Sequence, residues 1–284
     1  MCNSSNPLTV LYFEIMSSLN HFDILKAGVA AWNLWRTENP DIQPDLRGIH
    51  LSEQDLAGIN LSEALLAGAE LGGCDLQDAN LHGADLQDCN LPSSYLGNAD
   101  FQGANLKRIR VSGSYFEGAD FAGADLEGAD LSTAYLGRTQ FHKARLRGAN
   151  LRSAHLGAAD LREADFWGAN LQGTNLSSAD LRQANLRTTE LQSSNLSRAN
   201  LQGARLTLAN LRRANLTGSD LRQANLRAAY LEEADLRGAD LSGANLSGSH
   251  CEGAELEGAI FSGANLENAS LRLFGQVDQR KKVV

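Results

Sequence analysis

Cysteine is scarce in this chain: Cys2, Cys74, Cys89 and Cys251 are the only four in 284 residues. They lack the paired spacing of a zinc site and are too scattered for a disulfide framework, so a reducing compartment fits best. Histidine is also sparse. Of the six (His21, His50, His82, His142, His155 and His250) none clusters along the chain, and no metal or other cofactor is expected. Long apolar runs are missing. Leu8 to Met16 is apolar but short, carries Glu14 and has no basic residue before it, which makes it poor as a signal peptide or membrane span. Met16 could equally serve as the start of translation, so residues 1–19 are expected to be poorly ordered or outside the translated protein. Basic charge is short too. The net charge is −9 with a pI near 5.2, which argues against nucleic-acid binding by the surface as a whole.

What is present is a five-residue pattern, Ala-(Asp/Asn)-Leu-X-X, running without insertion or deletion from about Asp45 to Leu271. Leu, or a Phe, Val or Cys in its place, stands at every position whose number ends in 1 or 6. We call this position the centre. A helix wants apolar spacing near 3.6 and a strand wants two, so period five fits neither. It fits a chain that turns a corner once per repeat. The residue two before the centre is nearly always small, with Ile49, Gln54, Ile59 and Ile109 as exceptions. Small residue and centre then face inward, and the other three positions face water. The residue two after the centre is Gly in about twenty repeats, as type II turns favour. From about Thr133 to Glu233 that slot is mostly not Gly, so corners there are expected to be type II less often. Gly and Ser are used up by turning, and neither a phosphate loop nor a catalytic cleft is expected.

The pattern resembles the pentapeptide-repeat protein family over roughly residues 45–271. The resemblance implies an all-β solenoid, a right-handed quadrilateral β-helix with four repeats per coil and about eleven coils. It also implies a non-catalytic protein. The run Trp32-Asn33-Leu34-Trp35-Arg36 with Asn39-Pro40 looks like the lead-in of many cyanobacterial members. Phe22, Leu25, Val29 and Trp32 fall at helical spacing, Asn20 or Asp23 could cap the start, and Asn39-Pro40 should end the helix. The expected organisation is therefore a capping helix and linker at 20–43, repeats at 44–272 and a tail at 273–284. Leu273 and Phe274 either fold over the last coil or leave that end to pair with a second copy, giving a monomer or a dimer through the C-terminal end.

With four repeats per coil, residues twenty apart share a vertical column. Phe101, Phe121 and Phe141 should stack inside, with Phe116 and Phe166 on other faces. Outside, Tyr95, Tyr115, Tyr135 and His155 form an aromatic stripe beside Gly97, Gly137 and Gly157. Such a stripe is either a partner-binding face or a stack that steadies neighbouring coils. Arg147, Trp167 and Arg187 form a second column, read as cation–π packing or a contact patch. Asp160, Asp180 and Asp220 run beside Arg162, Arg182 and Arg222 as an expected lattice of ion pairs, whereas no Arg answers Asp100 and Asp120. Residues 45–130 hold fifteen acids and four bases, and residues 143–227 hold thirteen bases and six acids.

These readings favour a rigid cytoplasmic scaffold that binds an unidentified protein through an outer wall. No small-molecule substrate and no membrane association are expected. The alternative is a DNA mimic acting on gyrase or topoisomerase, as some members of the family do. The unbroken repeat and the basic belt from Lys143 to Arg227 speak against it.

Overall fold

A computed structural model of the chain describes residues 20–270. The extension at 1–19 and the tail at 273–284, with Leu273 and Phe274, lie outside the described residues. Isolated parallel bridges join the residue before each centre to the one twenty further on, from Asp45↔Leu65 to His250↔Ser270. One coil therefore takes twenty residues and four corners.

The consensus follows from an accounting of backbone hydrogen bonds. The repeat around Leu76 illustrates it. Leu76 N–H donates to Tyr95 C=O one coil ahead (2.7 Å), and Asp75 N–H to Gln54 C=O one coil behind (3.0 Å). Asp78 N–H donates to Gly97 C=O (2.9 Å), and Ala79 N–H closes the corner on Leu76 C=O (3.1 Å). The fifth donor, Gln77 N–H, has no backbone partner and goes to the Asp75 carboxylate at 3.0 Å. Where Asp or Asn stands before the centre, its side chain typically satisfies this last N–H, as Asp75, Asn80 and Asp85 do. From Leu61 to Cys251 every centre and every small residue is buried. Each Leu contributes on the order of 2 kcal/mol by leaving water.

Every residue two after a centre, from Gly48 to Asn268, has positive φ. The expected relaxation between Thr133 and Glu233 does not occur: Arg138 (φ 57°), Lys143 (58°) and Leu208 (59°) adopt the left-handed conformation without glycine. Ladder bonds on both sides of the corner hold it there.

Inside, Phe101, Phe121 and Phe141 stack with centroids 4.8 and 4.6 Å apart and planes 3° and 2° off parallel. Phe116 enters from the next wall and lies tilted against Phe101 and Phe121, at 6.0 and 5.4 Å. The gap beside these rings admits no water.

The N-terminal cap is two helices rather than one, α1 (His21–Lys26) and α2 (Val29–Glu38). Gly28, with φ 98°, breaks them. Asn20 caps α1 by accepting the Asp23 N–H at 2.9 Å. The cap covers the open edge of the first coil with side chains that take the place of a missing strand. Trp32 Nε1 donates to Asn60 C=O (2.7 Å), and Arg36 Nη2 to Ser62 C=O (3.0 Å). Asn33 both donates to Gly58 C=O (2.9 Å) and accepts from Asn60 N–H (2.8 Å). Ile59 beneath is fully buried.

Candidate functional site

The fold brings Tyr95, Tyr115, Tyr135 and His155 into one outer ladder. Centroid spacings are 5.3, 4.7 and 5.0 Å, with planes 11°, 4° and 7° from parallel. The three tyrosines remain 49%, 43% and 44% exposed, and His155 is exposed. Because the rings cover one another's faces, they present edges and hydroxyls to solvent. The tyrosines also displace the Asp or Asn that serves the fifth N–H. Gly97, Glu117 and Gly137 accordingly have no hydrogen-bond partner for their N–H among the described residues. With Gly157 beside His155, four consecutive coils forgo that bond where the aromatics stand.

Arg147 and Trp167 do meet, with the guanidinium carbon 5.7 Å from the indole centroid, while Trp167 stays 52% exposed. Arg147 also pairs with Asp165. Arg187, the third residue of that column, makes no cation–π contact. The indole is stacked from one side only, because Asp165 holds Arg147 in place and no carboxylate does so for Arg187.

The carboxylate column is paired where Arg follows it. Arg182 and Arg222 reach Asp180 and Asp220 at 2.6 Å each, and Arg162 binds Asp160. These guanidiniums hold the Asp160 and Asp220 carboxyls below the usual range. Asp100 and Asp120 are served by Gln102 instead.

A second ladder was missed from sequence: Tyr230 and His250 stack at 5.1 Å, with Arg212 over Tyr230 at 4.5 Å. The same twenty-residue spacing signals it. Beside it, one ligand-type atom each from Glu232, His250 and Glu252 lies within 4.8 Å of the others. Glu232 is already engaged by Arg212 at 2.9 Å, which accounts for its position. Among the described residues, Cys74, Cys89 and Cys251 are buried, and burial pushes the Cys89 thiol up to about 12, so these are packing residues rather than nucleophiles. No described helix is long and apolar enough to cross a membrane.

Parallel bridges twenty residues apart at every position before a centre, a leucine-filled interior and one corner per five residues define a β-helical solenoid. The chain belongs to the pentapeptide-repeat family. The model for pentapeptide repeats matches in eight copies, with segments running from residues 45–83 to 234–272. Among solved structures, HetL, involved in heterocyst differentiation regulation in the cyanobacterium Nostoc sp. strain PCC 7120, is 31% identical. That match covers 83% of this chain and 94% of HetL, with a TM-score of 0.29. Rfr23 from the cyanobacterium Cyanothece 51142 is 33% identical over 40% of this chain and 62% of its own, with a TM-score of 0.23. QnrB1, a plasmid-mediated fluoroquinolone resistance protein, is 20% identical over 78% and 91%, with a TM-score of 0.32. No curated protein matches the sequence. The family's architecture is the right-handed quadrilateral β-helix, and its members are in general structural or interaction modules rather than enzymes.

Proposed function

We propose that the protein is a rigid, non-catalytic rod of about eleven coils, roughly 50–55 Å long at strand spacing. It acts in the cytoplasm by holding a partner protein against the Tyr95–Tyr115–Tyr135–His155 wall. The observation that carries this reading is the stacked ladder of exposed tyrosines, standing where Asp or Asn serves the turn in other repeats. Three successive coils give up the Asp or Asn that serves Gly97, Glu117 and Gly137, and what they present instead is exposed tyrosine. Ring stacking alone could be had inside, as the phenylalanines have it, without wetting the rings. Tyr is also the residue type that anchors interfaces, with large area and few rotamers. The test is affinity capture from the source organism with wild type and Tyr115→Ser. A partner retained by wild type and weakened about tenfold or more by the variant is the expected outcome. Equal retention removes the wall from consideration.

Gyrase modulation by DNA mimicry has less support. The carboxylate column is neutralised by Arg162, Arg182 and Arg222 over much of its length. A supercoiling assay in which the protein neither inhibits nor protects gyrase at micromolar concentration rejects it.

A further inference from the structure

Part of the pattern of paired and unpaired arginines follows from the residue two places earlier. Where Asp stands two residues before Arg, the pair closes: Asp45–Arg47, Asp180–Arg182, Asp220–Arg222 and Asp235–Arg237 each meet at 2.6 Å. Asn in the same place cannot hold a guanidinium: Asn225 Oδ1 accepts only the Arg227 backbone N–H, and Asn185 Oδ1 has no hydrogen-bond partner among the described residues. Asn185-x-Arg187 and Asn225-x-Arg227 are such sites, and neither Arg has a side-chain partner among the described residues. Arg205, in the coil between them, has none either. All three lie on the wall opposite the tyrosines, since their repeats sit two corners from the tyrosine repeats in a four-cornered coil. Successive coils thus each carry one unanswered guanidinium. Across those coils this wall (residues 185–188, 205–208 and 225–228) contains no Asp or Glu. One coil below stands Trp167, and among the guanidiniums stands Leu208, 48% exposed. The neighbouring carboxylates are committed elsewhere: Asp165 to Arg147 and Asn185, and Glu190 to Gln192 and Asn210.

We propose that this wall is a second docking surface, and that it takes an acidic peptide segment of a partner protein. Carboxylates would sit on Arg187, Arg205 and Arg227, and an apolar side chain on Trp167 and Leu208. Planar guanidinium forks match carboxylates in pairs. Two observations favour a peptide over a nucleic acid. The cationic stretch spans only three coils, about 10 Å between its outer arginines, so it offers few phosphate contacts. The net charge of −9, with Asp180 and Asp220 just around the corner, repels a long polyphosphate. The site is independent of the tyrosine wall, and either can fail alone.

The test titrates full-length protein with a labelled synthetic peptide of glutamates flanking central leucines. It is run beside the same peptide with glutamines and beside a thymidine oligonucleotide of equal length. Peptide binding should fall about tenfold in Arg187→Gln/Arg205→Gln/Arg227→Gln. It should hold in Arg110→Gln/Arg152→Gln/Arg198→Gln, which removes three unpaired arginines from other walls, and in Tyr115→Ser. Emission of Trp167, an exposed indole where Trp32 and Trp35 are buried, should shift on binding. Since none of the substituted arginines has a side-chain partner, both triple variants should melt like wild type. Three results overturn the proposal. One is no binding to wild type at about 100 µM in low salt. Another is equal loss in both triples, which reduces the effect to net charge. The third is tighter binding of the oligonucleotide, which assigns the wall to nucleic acid.

Discussion

At the residue scale the corner is the decisive feature. Its third residue is left-handed whether it is Gly123 (φ 69°) or Leu208 (φ 59°). For an L-residue that conformation costs roughly 1–2 kcal/mol. The sequence alone suggests that corners without glycine would differ. They do not, because the ladder on both sides dictates φ: Arg138 N–H is held by Gly157 C=O at 3.1 Å, and Thr139 N–H closes on Leu136 C=O at 3.4 Å. Glycine there is convenience rather than necessity. A Cβ at Gly123 would meet nothing within 4 Å, so Gly123→Ala isolates the conformational term. It should lower stability by about 1–2 kcal/mol, read as a shift in the denaturation midpoint without loss of β-structure.

At the scale of elements, the inner phenylalanine stack and the helical cap carry separate loads. Phe121 lies between Phe101 and Phe141 and also meets Phe116, so its removal empties the middle of a four-ring cluster. Phe121→Ala should cost about 3–5 kcal/mol in chemical denaturation. The cap matters for a different reason. Without α1 and α2, the C=O groups of Gly58, Asn60 and Ser62 and the N–H of Asn60 lose their partners and become an open edge. A chain beginning at Asp45 should therefore form larger assemblies in light scattering than the full chain does. A truncated chain of the same assembly state as the full chain would show that the cap is dispensable. The position of the cap was legible from Trp32 to Pro40, and its end at Asn39 was found where Pro40 requires it. The break between α1 and α2 could have been read from Gly28.

For the molecule as a whole, the period showed a chain that turns one corner per five residues, and the resemblance to pentapeptide-repeat proteins supplied four corners per coil. Columns twenty apart placed the phenylalanine and tyrosine ladders in advance. The same spacing also marks Tyr230 and His250. The free arginines were harder to see, since Arg187 and Arg227 depend on a carboxylate being absent two residues earlier (Asn185 and Asn225) rather than on a residue being present. Charge also sets the response to acid. Arg47 holds the Asp45 carboxyl near pKa 2, and guanidiniums hold Asp160, Asp220 and Asp235 below the usual range. Groups depressed in the folded state stabilise it above their unfolded pKa and lose that contribution as pH falls through the folded value. Stability should thus be flat from neutral pH down to about pH 4 and fall between about pH 4 and 2. Thermal melts across that range check it, and a rise in stability on acidification would contradict it.

Both proposed walls depend on the twenty-residue coil, and a cysteine pair tests that register directly. Ser112 and Ser132 face each other across adjacent coils, hydroxyl to hydroxyl at 3.3 Å. In a Cys2→Ser background, Ser112→Cys with Ser132→Cys should form an intrachain disulfide almost completely under mild oxidation. Ser112→Cys with Glu127→Cys, three corners apart along the chain, should form none. Equal cross-linking of the two pairs, or cross-linking of the second alone, would contradict the register and with it both walls.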